Sequence, residues 1–346
     1  MPPFRQRWPW IGPDLQTLRD TLRPPRLGAD TGEPLAVPVG NGERLLVLRD
    51  PPLAAPAGLM EPAGLVLLVH GLGGSAGGGG VRRLGCCLQR VGFAVWRLNL
   101  RGAGAGRPLA AGTYAAACTA DLLPVLAAAR RQAGGLPLLG VGLSLGGAVL
   151  LNAALAEPGA LDALVAVSSP LDLAACAQRI DQPRNRLYQR WLLRGLIRQT
   201  LADPLGLSAA ERELLAGPAR PRSIRAFDAA ITAPRWGYAD VDAYYAQASA
   251  LPRLRAGAAA SGHRLQALPP VLLLHALDDP WVPAAAAEQL AATPAPGLEV
   301  LLSPHGGHNG FHGVRDRAEE AGIGARRLPG SWADRQVVHW LERVQR

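Results

Sequence analysis

Four short stretches carry residue types that can do chemistry together. Gly142-Leu143-Ser144-Leu145-Gly146 places a serine between two glycines, after the apolar run Pro137–Val141 and before the small-residue helical pattern Gly147–Leu155. Strand, sharp turn and helix make the setting of a nucleophile elbow, which holds a serine in a strained conformation with its hydroxyl exposed above a sheet. The flanking glycines have a steric cause, since a side chain at either would strike the adjacent strand or helix. The pattern alone is weak in a chain with 41 Gly among 346 residues, so its surroundings must carry it.

A serine hydroxyl is a poor nucleophile at neutral pH. It needs an imidazole to take its proton and an acid to orient that imidazole. On an elbow of this kind the chain order is serine, acid, histidine. A parallel sheet presents its functional groups at the carboxyl ends of its strands. His275-Ala-Leu-Asp278-Asp279-Pro-Trp-Val-Pro283 follows an apolar strand pattern and offers two aspartates. The Asp-x-x-Val-Pro spacing selects Asp279, leaving Asp278 as a loop or helix-capping carboxylate. Ser303-Pro-His305-Gly306-Gly307-His308-Asn309-Gly310-Phe311-His312 offers three histidines. Glycines on its N-terminal side let that loop reach back over the sheet, so His308 is the expected base. His305 and His312 are then loop residues or outer neighbours.

The oxyanion of acyl transfer needs two backbone N–H donors. Leu145, next to the serine, supplies one; the other comes from the loop after an earlier strand. His70-Gly71-Leu72-Gly73-Gly74 follows the strand pattern Leu65–Val69, which makes Leu72 the second donor and His70 a pin for the loop. The neighbouring Gly77–Gly80 run lacks both the Lys-Ser/Thr ending of a phosphate loop and the spacing of a dinucleotide fingerprint.

These residues need a sheet to hold them. Leu35–Val39 and Arg44–Arg49 flank Gly40-Asn-Gly42 and read as an opening hairpin. Leu65–Val69, Phe93–Asn99, Pro137–Val141, Leu161–Val167, Val271–His275 and Leu298–Leu302 read as strands. Val81–Val91, Ala115–Gln132, Ala284–Ala292 and Trp332–Arg343 read as helices. The continuous apolar strands mark burial on both faces, and the alternation means a mostly parallel, doubly wound α/β sheet. The alternation breaks between about Pro170 and Leu254, a span with helical segments and no convincing strand. It lies between the strands carrying serine and acid, where a cap would cover the site. The expected organisation is an N-terminal arm packing on the core (1–34), a core of 35–169 and 255–346, and a helical cap insertion (170–254). Arg255–Gln266 and Arg315–Pro329 read as low-complexity surface loops.

Hydrophobic content of 49% supports a large core. All 36 basic residues are arginine, and the net charge is +9. The arginines are scattered, with no basic helix and no interleaved aromatics, so nucleic acid is excluded as a partner. A basic surface still suits peripheral contact with anionic lipid or acidic substrates. Cys86, Cys87, Cys118 and Cys176 lack metal spacing and read as small hydrophobes in a reducing compartment. No metal or cofactor is expected. Residues 1–24 offer no apolar signal core, and glycine, proline or arginine interrupts every apolar run before membrane-spanning length. The expectation is a soluble, cytoplasmic protein of unassigned oligomeric state.

Further blocks carry a family resemblance. Asp14-Leu-Gln-Thr-Leu18, Asn99-Leu-Arg101-Gly102, Ser223-Ile-Arg-Ala-Phe-Asp228, Ile231-Thr-Ala-Pro234, Trp236-Gly-Tyr238, Asp242-Ala-Tyr-Tyr245-x-x-Ala-Ser249 and Gly306-Gly307-His308-x-Gly310-Phe311 occur in the order found in one family. From about residue 8 onward the chain resembles the YheT-like branch of the α/β-hydrolase superfamily. That branch is related to abhydrolase-domain lipases and to yeast medium-chain ethyl ester acyltransferases. The resemblance implies an α/β-hydrolase fold: a mostly parallel eight-stranded sheet with helices on both faces and a helical cap. It also implies Ser144, Asp279 and His308 as charge relay, and a carboxylic-ester hydrolase acting on a small acyl ester. Two other readings remain: an acyltransferase passing the acyl group to an alcohol, and a non-catalytic scaffold on the same fold. Trp191, Phe227, Trp236, Tyr244 and Tyr245 are candidates to line an acyl pocket, against the plainer reading as cap core.

Overall fold

A computed structural model describes residues 3–53, 62–259, 268–293, 295–316 and 330–346. Eight strands form one sheet: β1 (Glu33–Gly40), β2 (Glu43–Asp50), β3 (Leu65–Val69), β4 (Ala94–Leu98), β5 (Leu138–Leu143), β6 (Ala163–Val167), β7 (Val271–Ala276) and β8 (Leu298–Ser303). Their spatial order is β1-β2-β4-β3-β5-β6-β7-β8. β2 pairs antiparallel with both β1 and β4, and every pairing from β4 across to β8 is parallel.

Strand composition explains the layering. β3 is Leu-Val-Leu-Leu-Val and wholly buried. Leu65, Leu67 and Val69 enter one core with α3 (Thr119–Ala133) and α4 (Leu145–Ala156). Val66 and Leu68 enter the other with α2 (Gly79–Arg90) and the last helix, α13 (Trp332–Val344). A period of two on a sheet covered on both faces produces this division. α4 is apolar all round, and its residues from Leu145 to Ala154 are buried, as such a helix must be. Cys87 and Cys118 pack as hydrophobes, one in each core.

Between β6 and β7 the described chain contains helices and no strand: α5 (Leu173–Asp181), α6 (Arg186–Leu201), α7 (Ala209–Ala216), α8 (Ile224–Phe227), α9 (Ala233–Arg235), α10 (Val241–Ala248) and α11 (Leu251–Ala259). A π turn, Asp228–Thr232, joins α8 to α9. Ile180, Leu192, Leu196, Leu215, Ile224 and Phe227 give this excursion a small core of its own. α12 (Ala285–Ala292) then links β7 to β8.

Two sequence expectations need correction. The N-terminal arm contains a helix, α1 (Pro13–Leu22), that the sequence reading did not assign. Its buried residues are Gln16 and Arg19, so no apolar stripe announces it. Arg255–Ala259 continues α11 rather than forming a loop. The rest of Arg255–Gln266, apart from those residues, and 317–329 lie outside the described residues.

β4 and the residues just after it hold the loop that follows β3. Arg97 donates to Asp50 (2.6 and 2.8 Å), to Asp30 (2.7 and 3.0 Å) and to the Ala76 carbonyl (2.9 Å). The Ala76 N–H donates to the side-chain oxygen of Asn99 (3.0 Å). Arg101 pairs with Asp121 (2.6 Å) and Glu43 and donates to the Ala111 carbonyl (2.8 Å). The Asn-x-Arg block of the sequence is thus a set of loop anchors. Arg97 and Asp50 are both almost fully buried, and a charge stranded there costs about 3–5 kcal/mol. Arg97→Leu should therefore lower urea-denaturation stability by about that amount. A loss below ~1 kcal/mol would mean that Asp50 is solvated once its partner is removed.

Candidate active site

Ser144 follows β5 and caps α4 with φ 53° and ψ −124°, a left-handed backbone conformation outside any strand or helix. The turn is held from both sides: the Ser144 N–H donates to the Val167 carbonyl (2.8 Å), and the Gly147 N–H to the Ser144 carbonyl (3.0 Å). A Cβ at Gly142 would overlap the backbone of Gly146 and Gly147. A Cβ at Gly146 would overlap the carbonyls of Val69 and His70. Both glycines of the pattern are therefore required by packing.

His308 arrives on the loop after β8. Its Nε2 lies 2.9 Å from Ser144 Oγ, and its Nδ1 lies 2.8 Å from Asp279 Oδ2. An ionised carboxylate only accepts, so Nδ1 carries the proton and Nε2 is free to accept from the serine hydroxyl. The other oxygen of Asp279 accepts from the Trp281 N–H (2.8 Å) and the Val282 N–H (3.0 Å). Burial raises the Asp279 carboxyl, but the charge and hydrogen bond of His308 outweigh it and hold the group below the usual carboxylate range. The Trp281 ring lies against the imidazole, centroids 4.5 Å apart.

The structure separates the two aspartates by partner. Asp278 accepts from the Gly307 N–H (2.9 Å) and lies 3.3 Å from His305 Nδ1, so it fastens the histidine loop without touching His308. His312 is buried, with Nε2 3.3 Å from Asp20 of α1. Neither His305 nor His312 contacts Ser144 among the described residues.

The loop after β3 is pinned by His70. Its Nε2 accepts from the Leu100 N–H (3.2 Å), which leaves Nδ1–H to donate to the Gly71 carbonyl (2.8 Å). Burial pushes its pKa down to about 4, so the ring stays neutral. The Gly73 N–H donates to the Tyr114 hydroxyl (2.6 Å), and the Gly74 N–H closes a turn onto Gly71. Leu72 is held between these anchors and lines the same cavity as Ser144 and Leu145. The Leu145 N–H opens α4, where no preceding turn of helix supplies an acceptor.

The cavity is about 400 Å³. Trp191, Phe227, Tyr244 and Tyr245 line it, four of the five aromatics singled out from the sequence. Trp236 does not; its indole N–H donates to the Thr113 carbonyl (2.8 Å), and its ring packs on the main core.

A family model for the alpha/beta hydrolase fold matches residues 64–313. "Putative esterase YheT" of Escherichia coli (strain K12) is 32% identical over 280 residues, covering 80% of this chain and 76% of that protein. The chain belongs to the α/β-hydrolase fold family, in its YheT-like branch.

Phospholipase ABHD3 of Homo sapiens is 27% identical over 249 residues; the match covers 71% of this chain and 58% of that protein. Among solved structures, a soluble variant of monoglyceride lipase from Saccharomyces cerevisiae aligns over 93% of this chain at 16% identity, with a TM-score of 0.55. Est1E from Butyrivibrio proteoclasticus aligns over 91% at 16% identity, with a TM-score of 0.53. These two share the fold. No helix among the described residues of this α/β hydrolase is long and apolar enough to cross a membrane.

Sequence reasoning missed the residues that hold the histidine loop of this α/β hydrolase from behind. Thr17 Oγ1 accepts from the His308 N–H (2.9 Å) and donates to the Pro13 carbonyl (2.7 Å). The Gln16 amide spans the loop: its oxygen accepts from the His312 N–H (2.7 Å), and its nitrogen donates to the His312 carbonyl (3.0 Å). Both residues lie in the Asp14–Leu18 block, whose order was visible while its role was not. Thr17→Val should leave the His308 amide without a partner and speed its hydrogen exchange at least ~5-fold, given a cost of about 1–3 kcal/mol for a lost buried acceptor. Thr17→Ser should keep the protection. Unchanged exchange in the valine variant would mean that the loop is held elsewhere.

Proposed function

We propose that the protein is a serine carboxylesterase that hydrolyses small acyl esters through an acyl-enzyme. The observation that carries this reading is the unbroken hydrogen-bond chain Ser144–His308–Asp279 at the edge of the cavity, at 2.9 and 2.8 Å. In this reading Ser144 Oγ attacks the ester carbonyl while His308 Nε2 takes the hydroxyl proton. Asp279 keeps the imidazole in the accepting tautomer and stabilises the imidazolium once it forms. The Leu72 and Leu145 N–H groups receive the oxyanion. His308 then returns its proton to the leaving alcohol, and water, deprotonated in turn by His308, releases the acid. The relatives' names, an esterase and a phospholipase, support ester chemistry as the class.

The helices between β6 and β7 act as a cap in this reading, and their aromatic residues form the wall against which the acyl or alcohol chain lies. No cofactor or metal takes part. An alcohol in place of water would make the same acyl-enzyme an acyltransferase; release of free acid with added ethanol present identifies water as the acceptor.

Turnover of p-nitrophenyl esters tests the assignment. Ser144→Ala should lose activity on the order of a million-fold. A serine variant as active as the parent, or a folded parent that a fluorophosphonate fails to label at Ser144, would leave a scaffold with no chemistry.

The two neighbouring aspartates give a sharper comparison. Asp279→Asn should lower kcat by roughly ten-thousandfold, because an amide there favours the wrong imidazole tautomer. Asp278→Asn keeps an acceptor for the Gly307 N–H and should stay within about tenfold of the parent. Equal losses in both variants would refute the division of roles.

A further inference from the structure

The cavity beside Ser144 has a polar point that ester cleavage does not use. Asp228 is the first residue of the π turn between α8 and α9, and its side chain lines the cavity. One carboxyl oxygen accepts from the Thr232 hydroxyl (2.7 Å), and the other accepts from the Tyr245 hydroxyl (2.8 Å). A carboxylate has about four lone-pair sites, so about two stay unused. The residue is half-buried and lies in the cavity wall.

This acid has no counter-charge among the described residues. The nearby guanidinium of Arg225 lies on the outer side of the wall, 5.8 Å from the Tyr245 ring centroid, and is paired with Asp242 (2.7 Å). Burial raises the Asp228 carboxyl to about 6 against the pull of its two hydroxyl donors, so it is still largely ionised at neutral pH. The surrounding wall is hydrocarbon and aromatic, with Leu192, Leu196, Phe227 and Tyr244. A lone buried charge in such a place is costly. The two hydroxyls occupy different oxygens, so an asparagine here would keep an acceptor for only one of them. π turns inside helical segments recur at functional sites.

We propose that Asp228, oriented by Thr232 and Tyr245, is a specificity-determining anchor for a primary ammonium group carried by the ester. An ammonium supplies the missing positive charge, donates to the unused lone pairs, and lies among aromatic rings that also favour a cation. This inference rests on the proposed esterase reading for its substrate, but not for its binding.

The test compares straight-chain esters of graded length that end in ammonium, hydroxyl or methyl, placed either on the acyl or on the alcohol side. At the length that reaches Asp228, the parent enzyme should favour the ammonium ester over its methyl counterpart about tenfold or more in kcat/KM, as expected where a site has a polar group to match. Asp228→Asn, which keeps the shape, should abolish that preference and leave methyl esters within about threefold of the parent.

Preference for methyl or hydroxyl ends at every length would overturn the proposal, as would a preference for ammonium that survives in Asp228→Asn. A second measurement is independent of catalysis: quenching of cavity-lining Trp191 and Trp281 by hexylammonium and by hexanol. Tighter hexylammonium binding that disappears in Asp228→Asn supports the anchor; equal binding by the two proteins refutes it. If no ester is turned over while this selectivity persists, the esterase reading fails and the anchor stands.

Discussion

The left-handed backbone at Ser144 is the constraint on which the rest of the site depends. Holding a non-glycine residue there costs on the order of 1–3 kcal/mol, and it persists only where surrounding structure fixes it. Here β6 accepts the Ser144 N–H, α4 begins on its carbonyl, and the crossing of strand and helix leaves no volume for side chains at Gly142 or Gly146. The hydroxyl is therefore fixed where strand and helix cross. It cannot be moved to suit a partner, so the partners must be brought to it.

They arrive on successively longer loops. Asp279 stands three residues beyond β7, with both oxygens occupied. Asn185, at the start of α6, donates to the Pro280 carbonyl (2.9 Å), so the excursion steadies the same loop. His308 sits farther out, five residues past β8, and depends on supports from three directions. Asp278 holds Gly307, Ser168 accepts from the Asn309 N–H (3.2 Å), and α1 takes the backbone of His308 and His312. The N-terminal arm is thus part of the histidine's mounting. Tyr188 and Arg184, both beyond β6, contact Asp14 of the same helix (both 2.9 Å), so α1 joins the histidine loop to the helices above the cavity.

What could be read from the sequence follows from this geometry. Strands buried on both faces announce themselves as continuous apolar runs, and β3, β5, β6 and β7 were all visible for that reason. Ser144, Asp279 and His308, which the fold brings into one hydrogen-bonded chain, could be singled out because each lies within a few residues of a strand end, where local spacing reports position. α1 could not, because the face it buries is polar and hydrophobic periodicity is silent there. The contacts of Thr17 and Gln16 span 291 and 296 positions, a separation that local pattern does not report. The choice between Asp278 and Asp279 shows the limit most closely: motif spacing favoured one, but only the fold shows that the other has a separate task one loop away.

The two halves of the cavity differ in how they are built. The half bearing Ser144 belongs to the sheet, whose two cores run its full width. The facing half rests largely on a separate small cluster of Ile180, Leu192, Leu196, Leu215, Ile224 and Phe227. That cluster also packs against Leu72 and Trp281, so changes in it reach the loop after β3 and the ring beside His308. Asp228 bridges the two halves: its partners Thr232 and Tyr245 both lie between β6 and β7, but Tyr245 packs in the main core rather than in that cluster.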